Sequence, residues 1–476
     1  MGRSALAFAD FLAKAGQAYW QMLPVTPVGA GDSPYSSESA FAGNPLFIDL
    51  EDLVTRGFLT RDELGQLPHS PRADYVAGRE VTKRALDKAF EHASSSSGHA
   101  WAPFRAREAD WLRDYALYVV LRAHHGGAPW VAWPAPLRDR DADALAAAHM
   151  KYAREIERVV FEQWMFDEQW NELRAACAER SVRLIGDVPI FVGHDSSDVW
   201  ANPRGFLLDA QLRPIEVAGV PPDCFSKTGQ RWGNPLYAWR RMRHTGYRWW
   251  SRRLRVQTRR FDRIRLDHFI GFDRAWAIPR ESETAEKGRW LRGPGEDFFN
   301  EIRNDLGELP FIAEDLGLVT RRVRALRVKL GMPGMNVQQF ELAQETYSPH
   351  RYRRASVAYT GTHDNDTAVG WYRSTLAARG EETERKSRNI AVALTGMPDP
   401  ISEAALPWAM MRSLAASPAA TMIVPIQDPL GLGSEARINV PGQAENNWSW
   451  RLTHGACDDV LAAKLRALVT MYGRAT

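Results

Sequence analysis

The segment FDRIRLDH at 261–268 alternates apolar and charged side chains. In a strand this spacing puts Arg263, Arg265 and Asp267 on one face, and Ile264 and Leu266 on the other. Burying an unpaired ion costs several kcal/mol. The pattern therefore predicts either an exposed strand edge or a group of charges held together for chemistry.

Short apolar runs that end in polar residues recur along the chain, separated by stretches with helical spacing. These runs are AYWQMLPVTP, RLIGDVPIFVG, FDRIRLDHFIGF, RAWAIP, LPFIAEDLG, GMNVQQF and ASVAYTGTHDND. Polar residues at the carboxyl ends of several strands are typical of a (β/α)8 barrel, which builds its active site there. A doubly wound sheet would normally carry a glycine-rich phosphate turn, and the sequence has neither G-x-G-x-x-G nor a P-loop. We therefore predict an α/β fold of the (β/α)8 TIM-barrel type with inserted subdomains.

We predict one catalytic barrel domain over residues 1–476 with two insertions. More than a hundred residues separate the first two predicted strands, which is far longer than an ordinary crossover. Helical patterns within this stretch place a helical insertion at 55–155. The segment 193–250 is rich in Pro, Gly and Trp, and we expect it to form a loop-rich insertion over the active site.

Composition and charge argue against several classes of function. A net charge of +3 from 61 basic and 58 acidic residues indicates neither a nucleic-acid partner nor a membrane surface. The three cysteines are scattered without CxxC spacing, which favours a reducing, cytoplasmic compartment and argues against structural zinc. The N-terminal segment has helical spacing and lacks the continuous apolar run of a signal peptide. The 18 tryptophans favour a carbohydrate partner only slightly, because most tryptophans are partly buried core residues.

Three predicted strands end in carboxylates: Asp267, Glu314 and Asp364. A single carboxylate at such a position is more often a helix cap or an ion-pair partner than a catalyst. Three that converge in one barrel repel each other, so one keeps its proton to higher pH while a cation such as Arg265 holds another ionised. A retaining glycoside mechanism needs this pair, an acid and a nucleophile about 5 to 5.5 Å apart.

At the level of longer motifs, the sequence resembles the amylomaltases, the 4-alpha-glucanotransferases or disproportionating enzymes of the alpha-amylase clan. The motifs are GDSPYSSESAFAGNP, GDVPIFVGHDSSDVWANP, VAGVPPDCFSKTGQRWGNPLY, RIRLDHFIGF, AEDLG, GTHDNDT, and QDPLGLGSEARINVPG followed by NNWSWRL. The match runs through them over nearly the whole chain. The resemblance implies an enzyme without metal or organic cofactor that transfers an α-1,4-glucan segment to the 4-hydroxyl of glucose or a maltooligosaccharide by a retaining double displacement.

The resemblance also implies a role for each residue that matches a family motif. Asp267 matches the nucleophile, Glu314 the general acid and base, and Asp364 the transition-state stabiliser. The implied substrate-binding residues are Tyr35, Asp187, Arg265 and His363 around the transferred sugar, Asp223 and Trp232 on the acceptor side, and Asn439 as a glucan contact.

The sequence departs from the family pattern at three places. Ile270 stands where an arginine is common, and Cys224 stands where an aromatic residue commonly follows PPD. Family members usually begin with a strand similar to LLHPTSLP, whereas this chain starts inside the helix that follows it. We therefore expect the first barrel strand to be missing, because of a start assigned too far downstream, and we expect a chain extended upstream to be more stable.

Two alternatives stay open from the sequence. A hydrolase of the same clan would use the same three carboxylates, although the segments VPPDCFSKTGQRWGNP and GSEARINVPG favour the transferase. A non-catalytic glycan-binding barrel would be expected to have lost its catalytic carboxylates, and all three are present. The oligomeric state is not predicted.

Overall fold

Short parallel strands form the wall of a barrel at the centre of the molecule. The computed structural model describes residues 1–67, 70–96, 100–222, 226–378, 380–443 and 445–475. Its strands are β1 Tyr19–Gln21, β2 Arg183–Val188, β3 Glu216–Val220, β4 Gln230–Pro235, β5 Arg263–Leu266, β6 Arg274–Pro279, β7 Arg289–Arg292, β8 Phe311–Ala313, β9 Gly334–Val337, β10 Ser356–Tyr359 and β11 Thr421–Ile423.

The helices connect and cover these strands. They are α1 Arg3–Lys14, α2 Leu50–Thr55, α3 Arg61–Leu64, α4 Tyr75–Ser96, α5 Ala102–Arg107, α6 Ala109–His124, α7 Ala135–Arg138, α8 Ala142–Lys151, α9 Ala153–Glu179, α10 Ser197–Ala201, α11 Trp239–His244, α12 Arg248–Arg260, α13 Glu296–Leu306, α14 Arg321–Lys329, α15 Gln338–Glu341, α16 Ala368–Thr375, α17 Glu381–Thr395, α18 Leu406–Ala415 and α19 Asp459–Met471. In the described ranges, no helix is long and apolar enough to cross a bilayer.

Two groups of parallel strands make up the barrel wall. The strands β1, β2, β5 and β8 pair in that order, and β9, β10 and β11 form the second group. The N–H of Ala313 donates to the carbonyl of Pro333 over 2.9 Å, which brings β8 against the start of β9. The α/β barrel predicted from the sequence is therefore confirmed, with seven parallel strands in the described residues.

One layer of apolar side chains, drawn from successive strands of the wall, forms a buried cluster. It contains Ile185, Ile312, Met335, Val337, Val357 and Tyr359. Side chains two positions apart on a strand point to the same side, so Ile185 is followed on that side by Asp187, and Ile312 by Glu314. The candidate site therefore lies directly above this apolar layer, at the carboxyl ends of the strands.

The barrel wall is open between β1 and β11. β1 pairs with β2, β11 pairs with β10, and within the described part of the chain neither has a partner on its other side. A cavity of about 280 Å³ adjoins the opening, lined by Phe8, Trp20 and Met422 among others. The described strands therefore do not pair with each other on this side of the barrel.

One predicted barrel strand is wrong and another was missed. RAWAIP forms β6, but β6 lies in a separate antiparallel sheet of order β4-β3-β6-β7, because a short apolar run carries no information about its partner strand. The missed strand β11 is only three residues long and half-buried. Helices α3 to α8 lie within the predicted insertion, while the domain boundaries at 55–155 and 193–250 stay predictions.

Candidate functional site

Arg265 lies between two carboxylates at the end of β5. Its Nη1 is 2.7 Å from Oδ2 of Asp187 and 2.9 Å from Oδ1 of Asp267. Asp187 and Arg265 are paired in the register of β2 and β5, and Arg265 and Asp267 share a side because they are two residues apart. The side chains of Arg265 and Asp187 are 5% and 0% exposed, so these charges form a buried group and not an exposed edge.

Burial and charge act in opposite directions on this group. Burial lowers the pKa of Arg265, but the neighbouring carboxylates of Asp187 and Asp267 raise it well above its ordinary value. Burial raises the pKa of Asp187, while Arg265 opposes this rise. The guanidinium therefore stays charged and compensates the two carboxylates.

An aromatic wall stands beside Asp187. The hydroxyl of Tyr35 donates to Oδ2 of Asp187 over 2.8 Å, and its ring stacks on His363 with centroids 4.9 Å apart. Trp448 extends this wall, with its ring 5.7 Å from Tyr35 and 5.9 Å from His363. Trp448 is not among the site residues predicted from the sequence, although it lies in the family motif NNWSWRL. Flat aromatic faces of this kind suit sugar rings.

Glu314 follows β8 as Asp267 follows β5. Leu266 and Ala313 are paired in register, and adjacent strands lie about 4.8 Å apart, so the next residues, Asp267 and Glu314, are neighbours. The carboxylate of Glu314 accepts hydrogen bonds from the N–H groups of His268 and Leu316, at 2.7 and 3.0 Å.

The environment of Glu314 favours its protonated form. Burial raises the pKa of Glu314 to about 7, a rise that Arg265 opposes and the charge of Asp267 increases. Neighbouring Asp315 has a different role. It pairs with Arg327 at 2.9 Å and accepts a hydrogen bond from the N–H of Met335. Of these two adjacent carboxylates, only Glu314 therefore joins the candidate site.

Asp364 and His363 lie on the loop after β10. Oδ1 of Asp364 accepts a hydrogen bond from Nδ2 of Asn439 over 2.6 Å and lies 3.4 Å from Nε2 of His363. Arg437 donates to the backbone carbonyl of Asp364 over 2.7 Å. The side chain of Asp364 is 48% exposed. The structure thus joins Asn439 to this carboxylate, while the glucan contact that the resemblance implies for Asn439 stays a prediction.

Trp232 comes to the site from the antiparallel sheet. It lies on β4, and its ring is 4.8 Å from the ring of His268, the residue after Asp267. Burial lowers the pKa of His268 to about 4, so this ring is neutral. Ile270, where the family commonly has arginine, is buried in the apolar core. Asp223 and Cys224 lie outside the described residues, so the acceptor-side role of Asp223 stays a prediction.

The structure therefore brings together three carboxyl groups: Glu314 with its raised pKa, Asp267 held by Arg265, and Asp364. The aromatic wall that begins at Tyr35 lies beside them. Across the described ranges, no cluster of three or more His, Cys, Asp or Glu residues could hold a metal ion. A parallel barrel with these groups at its strand ends is a carbohydrate-active enzyme of the α/β-barrel class.

Comparison with known proteins identifies the family. The family model described as 4-alpha-glucanotransferase matches residues 1–457, and the chain belongs to this family. It is 45% identical over 477 aligned positions to the 4-alpha-glucanotransferase of Thermus thermophilus, covering 98% of this chain and 94% of the relative. It is 39% identical over 486 positions to that of Synechocystis sp., covering 100% and 94%.

A solved structure supports the same assignment. The amylomaltase from Streptococcus agalactiae in complex with acarbose superimposes with a TM-score of 0.91 at 34% identity, covering 100% of this chain and 96% of the other. The family predicted from the sequence motifs is confirmed.

Proposed function

We propose that this protein is a 4-alpha-glucanotransferase that transfers a segment of an α-1,4-glucan to the 4-hydroxyl of glucose or a maltooligosaccharide. Family membership supports the reaction class. The observation that carries the proposal is the pairing of Asp267 and Glu314 on neighbouring strand ends, one held by Arg265 and the other with its pKa raised by burial to about 7.

In the first step Asp267 attacks the anomeric carbon of the donor glucan. The bond from this carbon to the glycosidic oxygen breaks, and Glu314 gives its proton to that oxygen, so the shortened glucan leaves with a free 4-hydroxyl. Arg265 supports this step because it holds the carboxylate of Asp267 in place at 2.9 Å. The product is a glycosyl ester on Asp267 and an ionised Glu314.

In the second step an acceptor sugar resolves this ester. Its 4-hydroxyl gives a proton to Glu314 and attacks the anomeric carbon, which releases Asp267 and restores the starting protonation states. Asp364 stabilises the positive charge that develops on the sugar in both steps. Transfer instead of hydrolysis requires an acceptor sugar to reach the ester before water does.

The remaining residues bind the glucan in this proposal. Tyr35 and His363 contact the transferred sugar through their stacked rings, and Asn439 orients Asp364. Asp187 has a fully covered side chain, so it acts by holding Arg265 and Tyr35 beneath the sugar. Trp232, which is 38% exposed, contacts the acceptor sugar, and the role proposed for Asp223 on the acceptor side rests on the family motif alone.

We further propose that the enzyme acts in the cytoplasm. Cys177 and Cys457 are free thiols, and the scattered cysteines of the sequence suit a reducing compartment. The partners we propose are α-1,4-glucans and maltooligosaccharides.

The proposed function is tested by incubating the protein with maltotriose and separating the products. Longer oligomers together with glucose are expected, whereas glucose and maltose without longer products would show hydrolysis. The variant Asp267→Asn should make no ladder. A ladder that persists in this variant would refute the role of Asp267 as nucleophile.

A further inference from the structure

Asp428 is a buried carboxylate that the proposed mechanism does not use. It lies in the segment QDPLG, and only 1% of its surface is exposed. Its Oδ2 accepts a hydrogen bond from the hydroxyl of Thr360 over 2.5 Å, and its Oδ1 accepts one from the N–H of Ala368 over 2.8 Å. A buried carboxylate costs free energy unless its oxygens are satisfied, so both of these contacts matter to the fold.

Thr360 and Ala368 are the two ends of one loop. Thr360 directly follows β10, and Ala368 is the first residue of α16. The loop between them carries His363 and Asp364. A single carboxylate therefore joins both ends of the loop that brings these residues to the site.

The middle of the loop is held by other contacts. Nε2 of Gln339 donates to the carbonyl of Asp366 over 2.8 Å, and Arg437 donates to the carbonyl of Asp364 over 2.7 Å. Since the side chain of Asp364 is 48% exposed, close packing does not fix its position, which depends on its hydrogen bond from Asn439 and on the path of the loop backbone. The contacts of Asp428 with Thr360 and Ala368 hold the two points where that backbone path starts and finishes.

We propose that Asp428 is a positioning residue for the transfer reaction, holding both ends of the 360–368 loop so that Asp364 and His363 meet the sugar at the cleaved bond. This inference rests on the proposed function. In this proposal the substrate is also bound by residues outside this loop, such as Tyr35 and Trp232, whereas the charge that develops in the transition state is confined to one sugar unit beside Asp364. Loosening the loop should therefore reduce kcat more than it raises KM.

Thr360 offers a matched pair of variants. Thr360→Val keeps the shape of the side chain and removes the hydroxyl, while Thr360→Ser keeps the hydroxyl. With maltotriose as substrate, Thr360→Val should lower kcat about 10- to 100-fold with KM changed less than about threefold, because small misplacements of reacting groups have effects of this size. Thr360→Ser should stay within about twofold of the wild type.

Asp428→Asn tests the carboxylate itself. Its amide oxygen can still accept from Ala368, and its NH2 group can donate to the Thr360 hydroxyl, so a charge-assisted hydrogen bond is replaced by a weaker neutral one. A smaller fall in kcat than in Thr360→Val is expected. Glu162→Gln is the control for general loss of stability, since Glu162 is a buried carboxylate in α9, 2.9 Å from Arg158. This control should lower the melting temperature and leave kcat unchanged.

The inference is overturned if Thr360→Val and Thr360→Ser have equal kcat, or if kcat falls in Glu162→Gln to the same extent for the same loss of melting temperature. If Asp428→Asn does not fold, the Thr360 pair decides the question. A wild type that gives no ladder from maltotriose refutes the proposed function and this inference with it, whereas a ladder with equal Thr360 variants refutes the inference alone.

Discussion

The backbone N–H of His268 donates to Oε2 of Glu314 over 2.7 Å. This bond joins the residue after the proposed nucleophile to the proposed acid. His268 adopts a left-handed backbone conformation, with φ of 49°, which is uncommon for a residue with a side chain. The end of β5 therefore orients Glu314 directly, so that the two carboxyl groups are held as one unit.

The raised pKa of Glu314 gives the reaction a basic limit. Glu314 must be protonated to donate in the first step, and its pKa is raised by burial to about 7. We expect kcat/KM to fall as pH rises through about 7. Initial rates of glucose release from maltotriose, measured at pH values on both sides of about 7, check this expected fall in kcat/KM.

Two variants identify the group responsible for this limit. Glu314→Gln should lower the rate by about 10² to 10⁴, and its residual activity should lack the limit near pH 7. Asp315→Asn is the control, because Asp315 is the adjacent residue and pairs with Arg327 outside the site. An unchanged limit in Glu314→Gln, or a shifted one in Asp315→Asn, would contradict the assignment.

Glu314 should also reduce stability at high pH. Its folded-state pKa lies above its unfolded value, so ionisation on raising the pH favours the unfolded state, and stability is lost as pH rises through about 7. Glu314→Gln should therefore melt at a higher temperature than the wild type at alkaline pH, and the difference should shrink under acid conditions. Thermal melts of both proteins at alkaline and at acid pH test this prediction. A difference in melting temperature that does not change with pH would argue against a titrating Glu314.

Arg265 is expected to support both stability and activity. Arg265→Met leaves the carboxylates of Asp187 and Asp267 without their cation, and breaking a buried pair in this way costs about 3 to 5 kcal/mol. Urea denaturation should show this loss. Adding Asp187→Asn should restore part of the stability without restoring transfer activity. If the single variant is as stable as the wild type, the guanidinium does not compensate the two carboxylates.

The strand ends of the site could be predicted because they follow from local rules. Alternation on β5 placed Arg265 and Asp267 on one face, and the positions of Asp267 and Glu314 after apolar runs placed each of them at a strand end. The pairing of Asp267 with Arg265 also followed from the sequence, since a buried carboxylate needs a nearby cation, whereas the second partner of Arg265, Asp187, did not.

Other parts of the site depend on contacts that the local pattern does not contain. Asp428 reaches Thr360 across 68 positions of sequence, and Trp448 reaches Tyr35 from a loop near the end of the chain. The placement of β6 in a separate sheet depends on its pairing with β3 and β7, which a short apolar run does not reveal. Such contacts are fixed by the tertiary fold.

The hydroxyl and the ring of Tyr35 should each contribute to transition-state stabilisation. Tyr35→Phe removes the 2.8 Å hydrogen bond to the Asp187 carboxylate and keeps the ring stacked on His363, so we expect a loss of about 1.5 to 3 kcal/mol in transition-state stabilisation. Tyr35→Ala also removes the ring and should lose more. Steady-state kinetics on maltotriose separate the two effects, and equal losses would assign no role to the ring.

Trp232 should determine how often water intercepts the glycosyl ester. Its ring covers His268 beside Asp267, at 4.8 Å, so Trp232→Ala opens this side to solvent and removes an acceptor contact. We expect the ratio of hydrolysis to transfer to rise, measured as new reducing ends against the ladder of longer oligomers. Trp290→Ala is the matched control, because Trp290 lies on β7 of the same antiparallel sheet and packs on Trp276. If both variants keep the ratio of the wild type, Trp232 does not exclude water, and the protection of the ester must come from elsewhere in the acceptor side.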